Sequence, residues 1–532
     1  FGSDLSGAVT HAGTAASETL VGDTVANVIV AGQGDDLLLG GGGGDVLRGG
    51  EGDDLLSVDP TFDRVDGGTG TDTVIEDLSA AAAGTVSVYL NLTTGTHYRQ
   101  ETPGVGVDTL QGIENYTLIG PVNGQIIGSA TANALTSSAG NDSMNGFAGN
   151  DTLSSGDGQD TLIGGTGADV FDAGAGDDLI FVDDPGDIVD GGSGSDRVIV
   201  DTAAGLSLSI AGWSGVERVT GAAGDDTLDG TGVSNSLTLQ GLGGADRLTG
   251  GLAEDTLEGG DGADTLIGGA MRDFLFGNAG ADWIEGRSGN DYAYIDDPGD
   301  VFIGDGGFDR AVFSVDTGLD IDVSSWSGVE RIDAGGGNDR IDASSFTQPV
   351  RLQGDDGNDT LIGGSAGDSI CGNDGADSLQ GGGGADVLVG DAGPDTMDGG
   401  DGDDVFFISE DGDVAVGGAG LDRARMDPGV MDINLTLTGW SGVERLNGST
   451  GNDTLDASPV SNGMSINGNA GDDLVIGGSG SDLLFGNTGD DTLRGGDGAD
   501  FMWGDDGADR YEGGAGDDFF YIDDQGDMVT DG

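Results

Sequence analysis

Aspartate recurs at every ninth residue through long stretches of this chain, closing a glycine-rich hexapeptide two places before an apolar residue. Residues 241–312 run GLGGADRLT, GGLAEDTLE, GGDGADTLI, GGAMRDFLF, GNAGADWIE, GRSGNDYAY, IDDPGDVFI, GDGGFDRAV, eight units without a slip. The consensus is G-G-x-G-x-D-x-U-x, with U apolar. Aspartate holds the sixth position in 38 units, in runs at 31–75, 137–199, 241–312, 354–425 and 468–530. Isolated units carry Asp226, Asp339 and Asp453, and residues 13–30 keep the spacing with Glu18 and Asn27 in place of aspartate. A short carboxylate fixed in a tight turn, among carbonyls that glycine leaves open, offers oxygen ligands at regular intervals.

The elements that position these carboxylates follow from the same spacing. In each unit six residues form a turn and three a short strand. Glycines at positions one, two and four permit positive φ and close backbone approach. Side chains alternate along a strand, so the apolar eighth residue faces inward and residues seven and nine outward. Two units make an 18-residue coil with a strand on each side, and coils stack as parallel strands about 4.8 Å apart. Spacer segments LSLSI (206–210), LDIDV (319–323) and INLTL (433–437) alternate with period two and read as further strands. The predicted fold is all-β: a parallel β-roll (right-handed β-solenoid) of nonapeptide repeats, interrupted by spacer strands every ~113 residues.

Stacking sets Asp246 below Asp264, and Asp264 below Asp282. Carboxylates at that separation repel by roughly 3–4 kcal/mol at an effective dielectric of 20, or about 1 kcal/mol in bulk water. Even the smaller figure, repeated over dozens of neighbours, exceeds a typical folding stability of about 5–15 kcal/mol. Positive charge must lie between the turns. Carboxylate and carbonyl oxygens select a hard cation of high coordination number, and calcium suits a flexible oxygen cage better than magnesium. Zinc is unsuited, because the only histidines, His11 and His97, stand isolated and read as surface residues.

On these motifs the chain resembles the RTX (repeats-in-toxin) family of calcium-binding parallel β-rolls over nearly its whole length. A lone GGxGxD says little; more than thirty in register say a great deal. The resemblance implies calcium between consecutive same-side turns, held by aspartate side chains and turn carbonyls. Carried onto this chain, the expected ligands in the first run are Asp36, Asp45, Asp54 and Asp72. The second run supplies Asp142, Asp151, Asp160, Asp169, Asp178 and Asp196, followed by the isolated Asp226. The third supplies Asp246, Asp255, Asp264, Asp273, Asp282, Asp291 and Asp309, followed by Asp339. The fourth supplies Asp359, Asp368, Asp377, Asp386, Asp395, Asp404 and Asp422, followed by Asp453. The last supplies Asp473, Asp482, Asp491, Asp500, Asp509 and Asp518. One ion between every two same-side turns gives roughly 20–30 calcium ions. The units VDDPGDIVD, IDDPGDVFI, ISEDGDVAV and IDDQGDMVT lack the paired glycines, which sets Asp187, Asp300, Asp413 and Asp527 apart, as it does Asp63 in VDPTFDRVD. Such units are expected to end or redirect a run. The resemblance also implies unfolded export through a type I secretion machine, with folding triggered by calcium outside the cell.

Composition narrows the function classes. Acidic residues number 97 against 17 basic ones, all arginine, for a net charge of −80, and only 13 of the acids are glutamate. Such charge, with 112 glycines, would ordinarily mean disorder, but a solvated tail needs no fixed period. The field repels phosphate, so nucleic acid is excluded as a partner. One cysteine, Cys371, allows no intrachain disulfide framework, and its ninth-position place marks it as a packing residue. No apolar stretch is long enough to insert in a membrane, and the opening FGSDLSGAVT lacks the basic start of a signal peptide. The absent initiator Met and the stop at Gly532 in mid-repeat suggest a piece of a longer protein. Two histidines allow no Ser-His-Asp set, and carboxylate pairs are too numerous to single one out, so no enzyme is expected. Ice binding would need a regular outward threonine array, and position three varies too much for that.

A longer period overlies the first. WSGVER stands at 213–218, 326–331 and 440–445, each copy closing a spacer that precedes one nonapeptide, an 11-residue spacer and a long run. GIENY at 112–116 reads as a diverged copy without the tryptophan. The expected organisation is a β-roll segment with a degenerate start at 1–75, a diverged super-repeat at 76–199, super-repeats at 200–312 and 313–425, and a truncated one at 426–532. Trp213, Trp326 and Trp440 are expected to cover the roll rather than to bind sugar, and Glu217–Arg218, Glu330–Arg331 and Glu444–Arg445 to form local ion pairs. At the ninth position Ile163, Phe276, Val389 and Trp503, then Phe181, Tyr294, Phe407 and Tyr521, form an apolar stripe, with Asp172, Glu285, Asp398 and Glu512 on the other side. An exposed apolar stripe is covered or adhesive. The tryptophan spacer is the expected cover, and a lateral contact between neighbouring rods the alternative. The functional expectation is an extracellular, calcium-dependent structural protein of the bacterial cell surface (surface layer, filament or adhesin rod) that self-associates and rigidifies after secretion. The alternative is the repeat region of a secreted enzyme or toxin whose catalytic domain lies elsewhere.

Overall fold

The computed structural model describes residues 10–83, 86–101, 104–314, 317–427 and 429–530. Most of the opening decapeptide and the final Asp531 and Gly532 lie outside the described residues. The chain forms two compact units, Phe1–Asp264 and Thr265–Gly532. Each is a parallel β-roll. The helical pieces among the described residues are two 3-10 turns, Ile210–Gly212 and Val323–Ser325.

In the first unit, strands on one side of the roll pair in parallel with Leu162 opposite Ile180, and strands on the other with Leu153 opposite Phe171. Both partners lie one 18-residue coil onward, as the nonapeptide period requires. The second unit repeats this scheme, with Leu352 opposite Ile370 and Leu379 opposite Met397. The spacers do not leave the stack. Their alternating segments form the strands Ser207–Ser209, Asp320–Asp322 and Asn434–Thr436. They lengthen single coils, so that Arg310 faces Arg331 and then Arg351, and Arg423 faces Arg445.

One departure was not foreseen. Strands Ser87–Asn91, Thr96–Glu101 and Gly104–Gln111 form an antiparallel meander, Tyr98 lying between Tyr89 and Val107. Its last strand rejoins the parallel stack with Thr109 opposite Arg64. Its first carries the stack onward through Asn123–Ser129. The period-two alternation of VSVYLNL and THYRQ is the signal for it.

Alternation decides what is buried. Eighth-position residues such as Leu47, Leu162, Leu266, Leu379 and Leu493 are fully buried, forming a narrow aliphatic core. Positions six and one lie on the same inward face, so the aspartates flank that core: Asp169, Asp291, Asp395 and Asp500 are buried too. Fourth-position glycine allows a close approach between coils. Gly176 holds φ +149°, and a Cβ there would fall on the carbonyl oxygen of Gly158 in the coil before.

Candidate metal centres

Burying a carboxylate is costly unless each oxygen finds a partner. The first oxygen does. Asp386 Oδ1 accepts the backbone N–H of Asp368 at 2.7 Å, and Asp404 Oδ1 accepts that of Asp386 at 2.8 Å. The same bond links Asp142 to Asp160, Asp226 to Asp246 and Asp473 to Asp491 at 2.7 Å. Sixth-position aspartates therefore stack as a ladder in which each side chain reaches back one coil. The bond offsets part of the repulsion expected between neighbouring carboxylates, but satisfies only half of each group.

The second oxygen distinguishes two sets among the expected ligands. In Asp36, Asp45, Asp54, Asp151, Asp169, Asp178, Asp246, Asp291, Asp359, Asp377, Asp386, Asp395, Asp404, Asp491, Asp500 and Asp509, Oδ2 is buried without a hydrogen-bond partner. It points into the space left by first-position glycine. A Cβ on Gly381 would meet Asp386 Oδ2, with the carbonyl oxygen of Gly399 only 2.7 Å from the same point. In the other set the turn closes on its own carboxylate. Asp226, Asp255, Asp368 and Asp453 Oδ2 accept the N–H of Ala222, Gly251, Gly364 and Ser449 at 2.6 Å, and Asp482 that of Gly478 at 2.8 Å. Asp187, Asp300 and Asp413 are closed in the same way by the N–H groups of Asp183, Asp296 and Ser409. Those are units without paired glycines.

Burial with unmet charge pushes the open carboxylates up, to about 7 for Asp169, Asp359, Asp386, Asp395 and Asp491. Desolvation is the main cause, and the charge of neighbouring carboxylates adds to it. Among the described residues no group of three acidic, histidine or cysteine side chains is placed to hold a metal ion by itself. Each turn contributes one carboxylate, and backbone carbonyls must supply the remaining ligands. An orphaned buried oxygen, a glycine cradle and an all-oxygen donor set fit a hard divalent cation, and calcium above others.

At one coil the chain supplies the cation itself. Asp108 continues the ladder across the meander, its Oδ1 accepting the N–H of Asp63 at 2.8 Å. Its Oδ2 receives a bond from His97 Nδ1 at 2.7 Å, and His97 Nε2 lies 2.8 Å from Glu76. Arg99 pairs with Glu76 on the same side. His97 is therefore wholly buried, not the surface residue its isolation suggested. Burial alone would lower its pKa, but the bonds to Asp108 and Glu76 prevail and raise it to about 9. An imidazolium thus stands beside a second carboxylate oxygen of the kind that is without a hydrogen-bond partner at rungs such as Asp386.

The WSGVER joints also differ from expectation. Glu217, Glu330 and Glu444 do not turn to the adjacent arginines; each accepts the N–H of the last aspartate in the preceding run, Asp196, Asp309 and Asp422, at 2.8, 2.8 and 2.9 Å. Glu114 of GIENY does the same for Asp72. A longer carboxylate spans the longer coil. Arg331 pairs instead with Asp333. The tryptophans are structural: Trp213, Trp326 and Trp440 donate Nε1–H to the carbonyls of Asp187, Asp300 and Asp413 at 3.1, 2.9 and 2.9 Å. They cover the glycine-poor units, not the ninth-position stripe. That stripe remains half-exposed and stacks on itself, Phe276 against Tyr294 with centroids 4.1 Å apart.

A second ladder escaped sequence reasoning altogether. Fifth-position Asp and Asn side chains accept the fifth-position N–H of the next coil, as Asp177 does from Ser195 at 3.0 Å and Asn358 from Ala376 at 2.8 Å. The excess of Asp and Asn at position five was the available signal.

A family model for the RTX calcium-binding nonapeptide repeat (4 copies) matches residues 13–47, 21–56, 40–74, 127–162, 155–184, 163–198, 212–233, 238–266, 267–294, 327–345, 351–379, 372–406, 380–414, 436–458, 465–484 and 485–520. Together these matches span well over half of the chain. No curated protein matches it.

Proposed function

Since the chain belongs to the family of RTX calcium-binding nonapeptide repeats, we propose that it is an extracellular structural rod of the bacterial cell surface, folded and stiffened by calcium after export. Calcium binding and the β-roll come with the family, whose members are typically secreted. The site assignment is our reading of the turn geometry. The aspartates with an open Oδ2, together with carbonyls such as that of Gly399, hold the ions. Asp226, Asp255, Asp368, Asp453 and Asp482, whose second oxygens their own turns satisfy, contribute less. Asp187, Asp300 and Asp413 act as joints under the tryptophans.

The observation that carries the structural reading is the joint itself. The same Trp-to-carbonyl bond and the same Glu cap recur at each of three WSGVER copies, 113 and then 114 residues apart. A repeated joint extends a rod, and a secretion signal alone has no need of one. The chain's own residues bind and space the ions, exclude water from the core and set the coil length. Export unfolded and folding outside then follow from charge: bare turns repel, and external calcium closes them, so binding energy becomes folding energy. The second reading, the repeat region of a secreted enzyme or toxin, is favoured by the same family membership.

Electron microscopy of the secreted material, with and without chelator, tests the proposal. Rods organised into a lattice or filament that chelator dissolves support it. Isolated repeats attached to a separate catalytic body count against it.

A further inference from the structure

In the second unit, the sheet bearing the ninth-position stripe also carries outward arginines where the longer coils enter. Arg310, Arg331 and Arg351 stand opposite one another on three successive strands, and Arg423 and Arg445 on two. A chain with seventeen basic residues and a net charge of −80 would not gather them by chance. Asp333 takes up Arg310 and Arg331. Arg351, Arg423, Arg425 and Arg445 are exposed and outside any ion pair among the described residues. Arg425 lies over Phe407, 4.1 Å from the ring centroid. The result is two groups of free guanidinium side chains on one sheet, Arg351 four strand steps before Arg423 and Arg445 one strand after it, interleaved with the aromatic stripe and spaced at multiples of about 4.8 Å.

The rings decide what kind of partner fits. Phe276 and Tyr294 lie nearly parallel, 9° apart, and so do Phe485 and Trp503. Their faces are spent on each other, leaving mainly edges toward solvent. A sugar stacks on an open ring face; ring edges instead suit packing against another protein surface. That surface must present carboxylates at the strand spacing. This chain makes such a surface on its own turns. Exposed fifth-position Asp472 and Asp490 are consecutive rungs, each using one oxygen to accept an N–H of the next coil at 2.9 Å. The other oxygen is left for a partner.

We propose that these exposed arginines of one copy dock on the acidic turn edge of a second copy lying alongside, with the aromatic stripe packed into the same contact. Both surfaces have the period of the β-roll, so rungs on two copies meet in register and weak pairs add along the rod. Calcium lowers the repulsion between the copies, which confines the contact to the calcium-loaded state. The inference deepens the structural-rod reading and rests on it.

The test compares the wild-type chain with the variant R351Q/R423Q/R425Q/R445Q in saturating calcium, by sedimentation velocity. The wild type self-associates, and added salt weakens the association. The variant associates at least about tenfold more weakly, with unchanged calcium stoichiometry and circular dichroism. A variant that associates like the wild type, or a calcium-loaded wild type that stays monomeric, overturns the contact. A wild type that takes up no calcium contradicts the rod reading beneath it. Polygalacturonate serves as an acidic-glycan probe: arginine-dependent binding of it to a monomeric wild type assigns the arginines to a glycan and overturns the proposal.

Discussion

The two oxygens of a buried carboxylate have different work in this chain. Oδ1 ties one coil to the next through a backbone N–H, and Oδ2 either closes its own turn or is buried without a hydrogen-bond partner, the set we propose as calcium ligands. Asp386 and Asp482 separate the two cases, since only the second has both oxygens satisfied. Asp386→Asn keeps the N–H acceptor but turns a donor toward the cradle, so isothermal titration should show the loss of about one calcium ion per chain. Asp482→Asn should leave the stoichiometry unchanged. His97 gives a second residue-scale prediction. Its folded pKa, about 9, lies above its ordinary value of 6.5, so its contribution is fully present below about pH 6.5 and is lost as pH rises through about 9. Hydrogen exchange across 87–101 should accelerate over that window, and His97→Gln should flatten the profile. The position of every sixth-position aspartate was legible from the nonapeptide count, because the stack enforces the period. The fate of Oδ2 was not, since it depends on whether one backbone N–H of the turn, such as that of Gly478, rotates inward. The burial of His97 was hidden for a related reason: the meander inserted between Asp63 and Asp108 breaks the count just where the histidine sits.

At the scale of the element, the coil is the unit of stability. Its strands were legible as period-two alternation, and its length as the doubled nonapeptide. The spacers were only half legible. Their strands could be read, but their joint could not, because Glu330 acts as a sixth-position residue in a coil too long for the count to find it. The tryptophan of each joint fills the gap over a glycine-poor turn and bonds its carbonyl. Trp326→Phe removes only the N–H to Asp300 and should cost about 1–3 kcal/mol, because the carbonyl is left buried and unpaired. Trp326→Ala also opens a cavity and should cost about 3–5 kcal/mol. Thermal unfolding at fixed calcium checks both. Equal losses for the two substitutions would show that the ring packs nothing.

Over the whole molecule, the fold class was legible because one motif repeats through most of the chain, and a long in-register repeat leaves a β-roll few alternatives. The lateral surface was less so. Sequence placed the aromatic stripe correctly on one outward face, yet assigned it a cover that the tryptophans give to other coils. Burial raises the open ladder carboxylates far above their ordinary value of 3.8, to about 7 in Asp386 and its like. Without metal, their contribution to the folded state is therefore fully present below about pH 4 and is lost as pH rises through about 7. A chelated sample should gain β structure on acidification, whereas the calcium-loaded roll should be insensitive over the same range.

Circular dichroism in excess EDTA at about pH 8, followed by titration with calcium, bears most directly on whether cations hold the acidic coils together. The chain should lack β structure in the chelator and gain it cooperatively as calcium exceeds EDTA. A full β spectrum in EDTA, with no metal retained by elemental analysis, would contradict the account.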